Sequence, residues 1–247
     1  MVERDDIERF RLANADLSER VRLELDGFFH SLDLTKPELA RDALLEFMPI
    51  LTDQYGAVAA TMAAEWYEEL RANSGASGRF RAVAAPGVPA EAVEAKVRFL
   101  AGHLWTPDPL AMLGGLLVAA DKYVKQPSRD TMASNARREG VRFARVPTGA
   151  KTCAFCLMLA SRDAVYASKK SAGDLGSGHG DGYHGDCDCL VTPIRKPSDY
   201  PQGYLPDDYY AKYQAARKEA GSGDIKDISA ALRRLYPDAV NDGVHSH

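Results

Sequence analysis

Every cysteine in the chain falls in one of two short stretches, "KTCAFCLML" at 151–159 and "YHGDCDCLV" at 183–191. A Cys-x-x-Cys turn can aim two thiolates at one tetrahedral ion, and ligands arriving from elsewhere in the chain complete four-coordination. The first pair here is Cys153 and Cys156. The second stretch offers His184, Cys187 and Cys189, one candidate more than a closed site needs. In a strand Cys187 and Cys189 would face the same side, and His184, three residues before Cys187, is within one turn of it. Spacing leaves the ligand set open among these five. The preferred set is both first-pair cysteines, His184, and at least one of the last two, around a structural zinc ion.

Other uses of the cysteines explain less. A thioredoxin-like dithiol would sit after a strand at a helix N-terminus, as Cys153 and Cys156 do, but it leaves the second cluster without a role. A cysteine nucleophile with His184 as base needs one thiol. Four unconnected core cysteines are a poor match to a chain that uses cysteine nowhere else. A metal also answers a stability problem. Residues 171–189 are mostly small and polar, and such a segment cannot bury enough apolar area to offset its ordering entropy.

Composition narrows the rest. With 247 residues, 45% hydrophobic and 27% charged, the chain can bury one sizeable core or two modest ones. A net charge of -4 argues against a protein whose main task is wrapping nucleic acid. The first twenty residues are charged throughout, so no secretory segment is expected. The longest apolar stretch, "PLAMLGGLLVAA" at 109–120, is too short to span a bilayer. No membrane partner is therefore expected, and the setting is cytosolic by default, where paired cysteines bind metal more often than they form structural disulfides.

The periodicity predicts an α+β protein: a mainly helical N-terminal region at 1–135, a small metal-binding α+β module at 136–196, and C-terminal helices with a tail at 197–247. Ile7, Phe10, Leu17, Val21, Leu25 and Phe28 recur in threes and fours, which makes 3–31 a long amphipathic helix. A second helix opens at "TKPEL" near Thr35 and runs to Asn73, kinked or broken at Pro49. After the loops "NSGASG" and "AAPGVP", helices are expected at 90–104, 109–125 and 128–140, the last closed by Gly140. "VRFARVP", "AVY" at 164–166 and "CDCLVTPI" ended by Pro193 read as strands, with a short helix at "AFCLMLASR". Two further helices are expected at 207–219 and 225–235, followed by a frayed tail at 238–247.

Other motifs carry weaker chemistry. Ser177, His179 and Asp181 alternate in "GSGHGDG", but residues so close on one loop do not form a nucleophile-base-orienter chain. His30 and His103 read as helix-end histidines, and His245 and His247 as solvated. Arg137, Arg138, Arg142 and Arg145, beside Lys122, Lys125 and Arg129, read as a solvated helix face, with a phosphate or acidic-partner patch as the functional alternative. The tyrosines of "DDYYAKYQAARK" have helical spacing and read as packing residues.

The stretch "REGVRFARVPTGAKTCAFCLMLASRDAVY" followed by "YHGDCDC" resembles the MuF-like minor head proteins of tailed bacteriophages, particularly actinobacterial phages. The shared order is a helical N-terminal region, a strand, an "RVP-small-G-x-x-TC-x-x-C" turn, an "LASR" helix end and an "H-x-x-C-x-C" motif. The match is densest over 138–191, and Asp163 stands where the pattern has glycine. The resemblance implies a component of the virion head, made in the host bacterial cytoplasm, with portal and major capsid or scaffold proteins as partners and packaged DNA as a further contact. It implies action at head assembly, portal association, or DNA packaging and delivery. Many members carry the label capsid maturation protease. No nucleophile and base can be assigned here, so the structural role comes first and the protease second. A zinc-dependent nucleic-acid-binding module using the arginine run is the third alternative.

Overall fold

The computed structural model describes residues 4–148, 151–162, 187, 189–196 and 199–241. Its architecture is α+β, with N-terminal helices, a small β-containing region and C-terminal helices. Helix α1 (Arg4–His30) lays Ile7, Phe10, Leu17, Val21, Leu25 and Phe29 along one buried stripe. Phe28, expected in that stripe, sits at its margin and stacks on Phe47 at 3.8 Å. Helix α1 runs antiparallel to α2 (Pro37–Asn73), since Phe10 stacks on Trp66 at 4.1 Å while Tyr55 Oη donates to Glu24 at 2.8 Å.

Helix α2 is continuous through Pro49, and helix α4 (Ala111–Glu139) is continuous through Pro127. The expected break at Pro49 and the expected division of α4 into 109–125 and 128–140 are therefore not found. A proline inside a helix costs about 3 kcal/mol. Around Pro49 the helix buries Leu44, Met48 and Leu51, and on either side of Pro127 it buries Leu116, Val124 and Met132. Burial of several such side chains, at about 1.5–3 kcal/mol for each large apolar one, outweighs that local cost. Pro127 is itself a contact point: a Cβ added to Gly56 of α2 would come within 3.1 Å of its ring.

Gly56 faces Pro127 and Tyr67 bonds Glu139, so α2 and α4 run parallel. The chain returns between them as an extended strap. Asn135 grips that strap at both backbone groups of Val83, and Thr131 Oγ1 accepts from the Ala85 amide. Helix α3 (Ala90–Leu100) and a 3-10 turn (Ala101–Trp105) complete the return. One core runs through α1 to α4, from Leu17 and Leu44 to Met112 and Val124.

Gly140, at φ +71°, closes α4, and the Val141 amide donates back to Ala136 O at 2.8 Å. This left-handed cap turns the chain into β1 (Arg142–Val146). After it come β2 (Thr152–Cys153), α5 (Ala154–Ala160) and β3 (Leu190–Ile194). Strand β1 pairs antiparallel with β3, Phe143 opposite Pro193 and Arg145 opposite Val191. Pro193 thus lies within the strand and does not end it. Helices α6 (Pro206–Ala220) and α7 (Ile225–Leu235) pack on α5 through Leu157, Ala216, Ile228 and Leu232. Tyr209 and Tyr213 of α6 pack against that core, whereas Tyr210 is exposed.

The expected tail is in part structured. Val240–Asn241 forms β4, parallel to β2, because Thr152 and Cys153 offer backbone groups for a ladder at the edge of α5. The expected strand at 164–166 and residues 242–247 lie outside the described residues.

Glu139, at the end of α4, fastens three elements. It accepts from Tyr67 Oη at 2.6 Å, from Arg71 Nε at 2.8 Å, and from Arg195 just past β3. Burial pushes its carboxyl up, but the hydrogen bonds from Arg195 and Tyr67 and the Arg195 charge outweigh this and hold it below the usual range. A carboxyl lowered on folding contributes stability above its unfolded value, and this is lost as pH falls through the lower folded one. Glu139→Gln should therefore lower unfolding free energy at neutral pH by about 3 kcal/mol, since it leaves two guanidinium groups short of a partner. In urea titrations the difference from the unmodified chain should shrink as pH falls below about 4.

Candidate metal centre

Three elements deliver the cysteines. Cys153 ends β2 and caps α5, its sulfur accepting from the Cys156 amide at 3.1 Å, so the Cys-x-x-Cys turn is fixed by the helix it starts. Cys156 points inward from the first turn of α5. Cys187 and Cys189 stand just before β3, and their one-residue spacing puts both thiols on the inner face. The sulfurs of Cys156, Cys187 and Cys189 lie 3.1, 3.2 and 3.2 Å apart in their three pairings. Cys153, half-buried at the start of the same turn, stands beside this trio and is not part of it. None of the four forms a disulfide.

The site is closed. Cys156, Cys187 and Cys189 are at most 2% exposed and share a core with Ile7, Phe10, Trp66, Met132, Phe143 and Leu159. The cavity beside Cys187, lined in part by Asn14, Lys125, Ser128 and Arg129, is about 20 Å³, room for one water.

The thiols perturb one another strongly. For Cys153 the hydrogen bond with Cys156 acts downward, but the bond to Cys187, burial and the Cys187 charge push the thiol up to about 12. Hydrogen bonds with Cys153 and Cys187 raise Cys156, and burial raises Cys189. Cys187 goes the other way: hydrogen bonds from Cys153, Cys156 and Cys189 hold it well below an ordinary thiol, and Arg129 adds to this.

Three close buried cysteines could bind a metal ion. In a tetrahedral zinc site with Zn–S of about 2.3 Å, sulfurs stand about 3.7 Å apart, so an ion would spread this group by roughly half an ångström. The donor chemistry fits a soft or borderline divalent ion.

Two arginines of the run expected to form a solvated face belong to the site instead. Arg145 is 0% exposed, with Nη2 2.9 Å from Cys189 Sγ and 3.8 Å from Cys187 Sγ. Arg129 is buried and donates to the Cys187 carbonyl. Strand parity carries the signal that a helical reading misses: Arg145 lies two residues from Phe143, on the face that meets the cysteine core. Arg137, Arg138 and Arg142 are exposed, as expected, and Lys125 pairs with Asp121 at 3.0 Å.

The other predicted residues divide simply. His30 ends α1, its Nδ1 2.9 Å from Asp26 O, and His103 lies in the 3-10 turn. His184, Ser177, His179, Asp181, His245 and His247 lie outside the described residues. Among the described residues no helix is long and apolar enough to cross a membrane.

Fold and site together define a mainly helical protein built round a buried thiol cluster. Residues 1–216 match the VG15 protein family, and the chain belongs to it. The chain is similar to the Gene 15 protein of Mycobacterium phage D29, at 32% identity over 128 residues, covering 38% of this chain and 46% of that protein. It thus spans just under half the length of that curated relative and falls among bacteriophage proteins. No solved structure matches it.

If the cluster holds an ion, the purified chain should carry about one metal per molecule by elemental analysis. A strong chelator should then lower its thermal midpoint by several degrees. Cys187→Ser should abolish both the metal and the chelator response.

Proposed function

We propose that this is a MuF-like minor head protein, a structural component acting at head assembly, portal association, or DNA packaging and delivery, with a zinc ion in the thiol cluster. The observation that carries the structural reading is the burial of the thiols in the core shared by α1, α2 and α4. A nucleophile or redox dithiol needs access to its substrate. Cys156, Cys187 and Cys189 have almost no exposure, and the neighbouring cavity has room for one water. Such a centre joins elements instead of acting on a substrate. Membership of a phage protein family and the motif order over 138–191 support the assignment to the head.

In this reading the zinc centre is a joint. It ties the module at 136–196 to the helical region at 1–135, and β2 and α5 tie it in turn to the elements of 197–247. Rigid attachment of this kind suits a protein that bridges portal and capsid or scaffold proteins in the virion head. The arginine run supports nucleic-acid binding less well than its sequence suggests, since Arg129 and Arg145 turn inward.

Expression with the portal and major capsid proteins of the same phage provides the test. The chain should copurify with them at low stoichiometry, and capsid and scaffold proteins should keep their full length on gels. Cutting of the capsid protein that disappears when a single serine or cysteine is changed would replace this reading with the protease one.

A further inference from the structure

The two buried arginines approach the thiols from different elements, Arg145 on β1 and Arg129 on α4. A guanidinium keeps its charge, so burying one requires nearby negative charge or acceptors. Arg145 meets the thiol sulfurs themselves, at 2.9 and 3.8 Å, and Arg129 meets the backbone of the same cysteine segment. Four thiolates round a divalent ion leave two net negative charges, whereas three thiolates and a histidine leave one. Two arginines balance the first set and overbalance the second. Cys153 opens the same turn, its sulfur accepting from the Cys156 amide at 3.1 Å, so a fourth sulfur stands beside the three already gathered.

Resting on the structural-metal reading above, we infer that the centre is a four-thiolate site of Cys153, Cys156, Cys187 and Cys189. Its two negative charges are matched by Arg145 and Arg129, and the set of four ligands is complete without His184. The arginines are positioning residues. They set positive charge against the sulfurs and the Cys187 carbonyl, and fix β1 and α4 against the cysteine segment. Hydrogen bonds to ligating sulfurs of this kind normally change metal affinity by about 10–100-fold.

X-ray absorption at the metal edge of the purified full chain reads the ligand set. Four sulfur neighbours at about 2.3 Å are expected, unchanged in His184→Ala. Three sulfurs and one nitrogen would overturn this inference and leave the metal reading standing, while a reduced, folded chain that binds no metal would end both. Competition with a chelator reads the charge match. Arg145→Met should release the ion at a free-chelator concentration at least about tenfold lower, and Arg145→Lys, which keeps the charge but not the fork, should fall between. Should the methionine variant fail to fold, the lysine variant decides: four sulfurs with weaker retention support the role, and unchanged retention removes it.

Discussion

The approach of the Arg145 guanidinium to the thiols of Cys187 and Cys189 sets the terms for everything around it. A cation with no exposed surface lies between the β1–β3 sheet and the core that holds the cysteines. Its position follows from β1, whose alternation turns Phe143 and Arg145 to one side and Ala144 and Val146 to the other. The strand starts where it does because Gly140 ends α4 with a left-handed cap. A shift of one residue at that cap would send the arginine to the opposite face and leave the thiols against apolar carbon.

The helices supply the counterpart. Helices α2 and α4 run side by side in the same direction, which requires the connection between them to travel the whole length back. The strap held by Asn135 and Thr131 does this with backbone hydrogen bonds to side chains in place of strand pairing. At the far end of the pair, Glu139 collects Tyr67, Arg71 and Arg195. Two charged arrangements therefore flank the same strands: a carboxylate gathering arginines on one side, and sulfurs gathering arginines on the other.

Much of this is legible in the amino-acid sequence. The α+β class, the amphipathic face of α1, the cap at Gly140 and helices α6 and α7 all follow from periodicity and turn chemistry, which act within a few residues. The rest depends on parts of the chain that are distant from one another. The continuity of α2 and α4 through Pro49 and Pro127 is decided by the burial of their neighbours, and a proline in a local window says only that a helix is costly there. Arg145 resembles a surface cation in sequence because the run Arg137, Arg138, Arg142, Arg145 crosses from a helix into a strand, and the period changes inside it. The pairing of Val240 with Thr152 is two residues long and joins segments far apart in the chain, so it leaves no local pattern at all.

The pairing of β1 with β3 and the meeting of Cys156 with Cys187 hold the chain at two nearby points, whatever length of polypeptide joins them. Chain-closure entropy grows only with the logarithm of that length, so doubling it costs about 0.6 kcal/mol. Evolution can therefore lengthen or shorten this connection cheaply, whereas the spacing within each cysteine pair is fixed by the geometry of α5 and of the entry to β3. Relatives in the family would then be recognised by two rigid cysteine signatures separated by a variable interval, and by an arginine two residues before the proline that precedes the first of them.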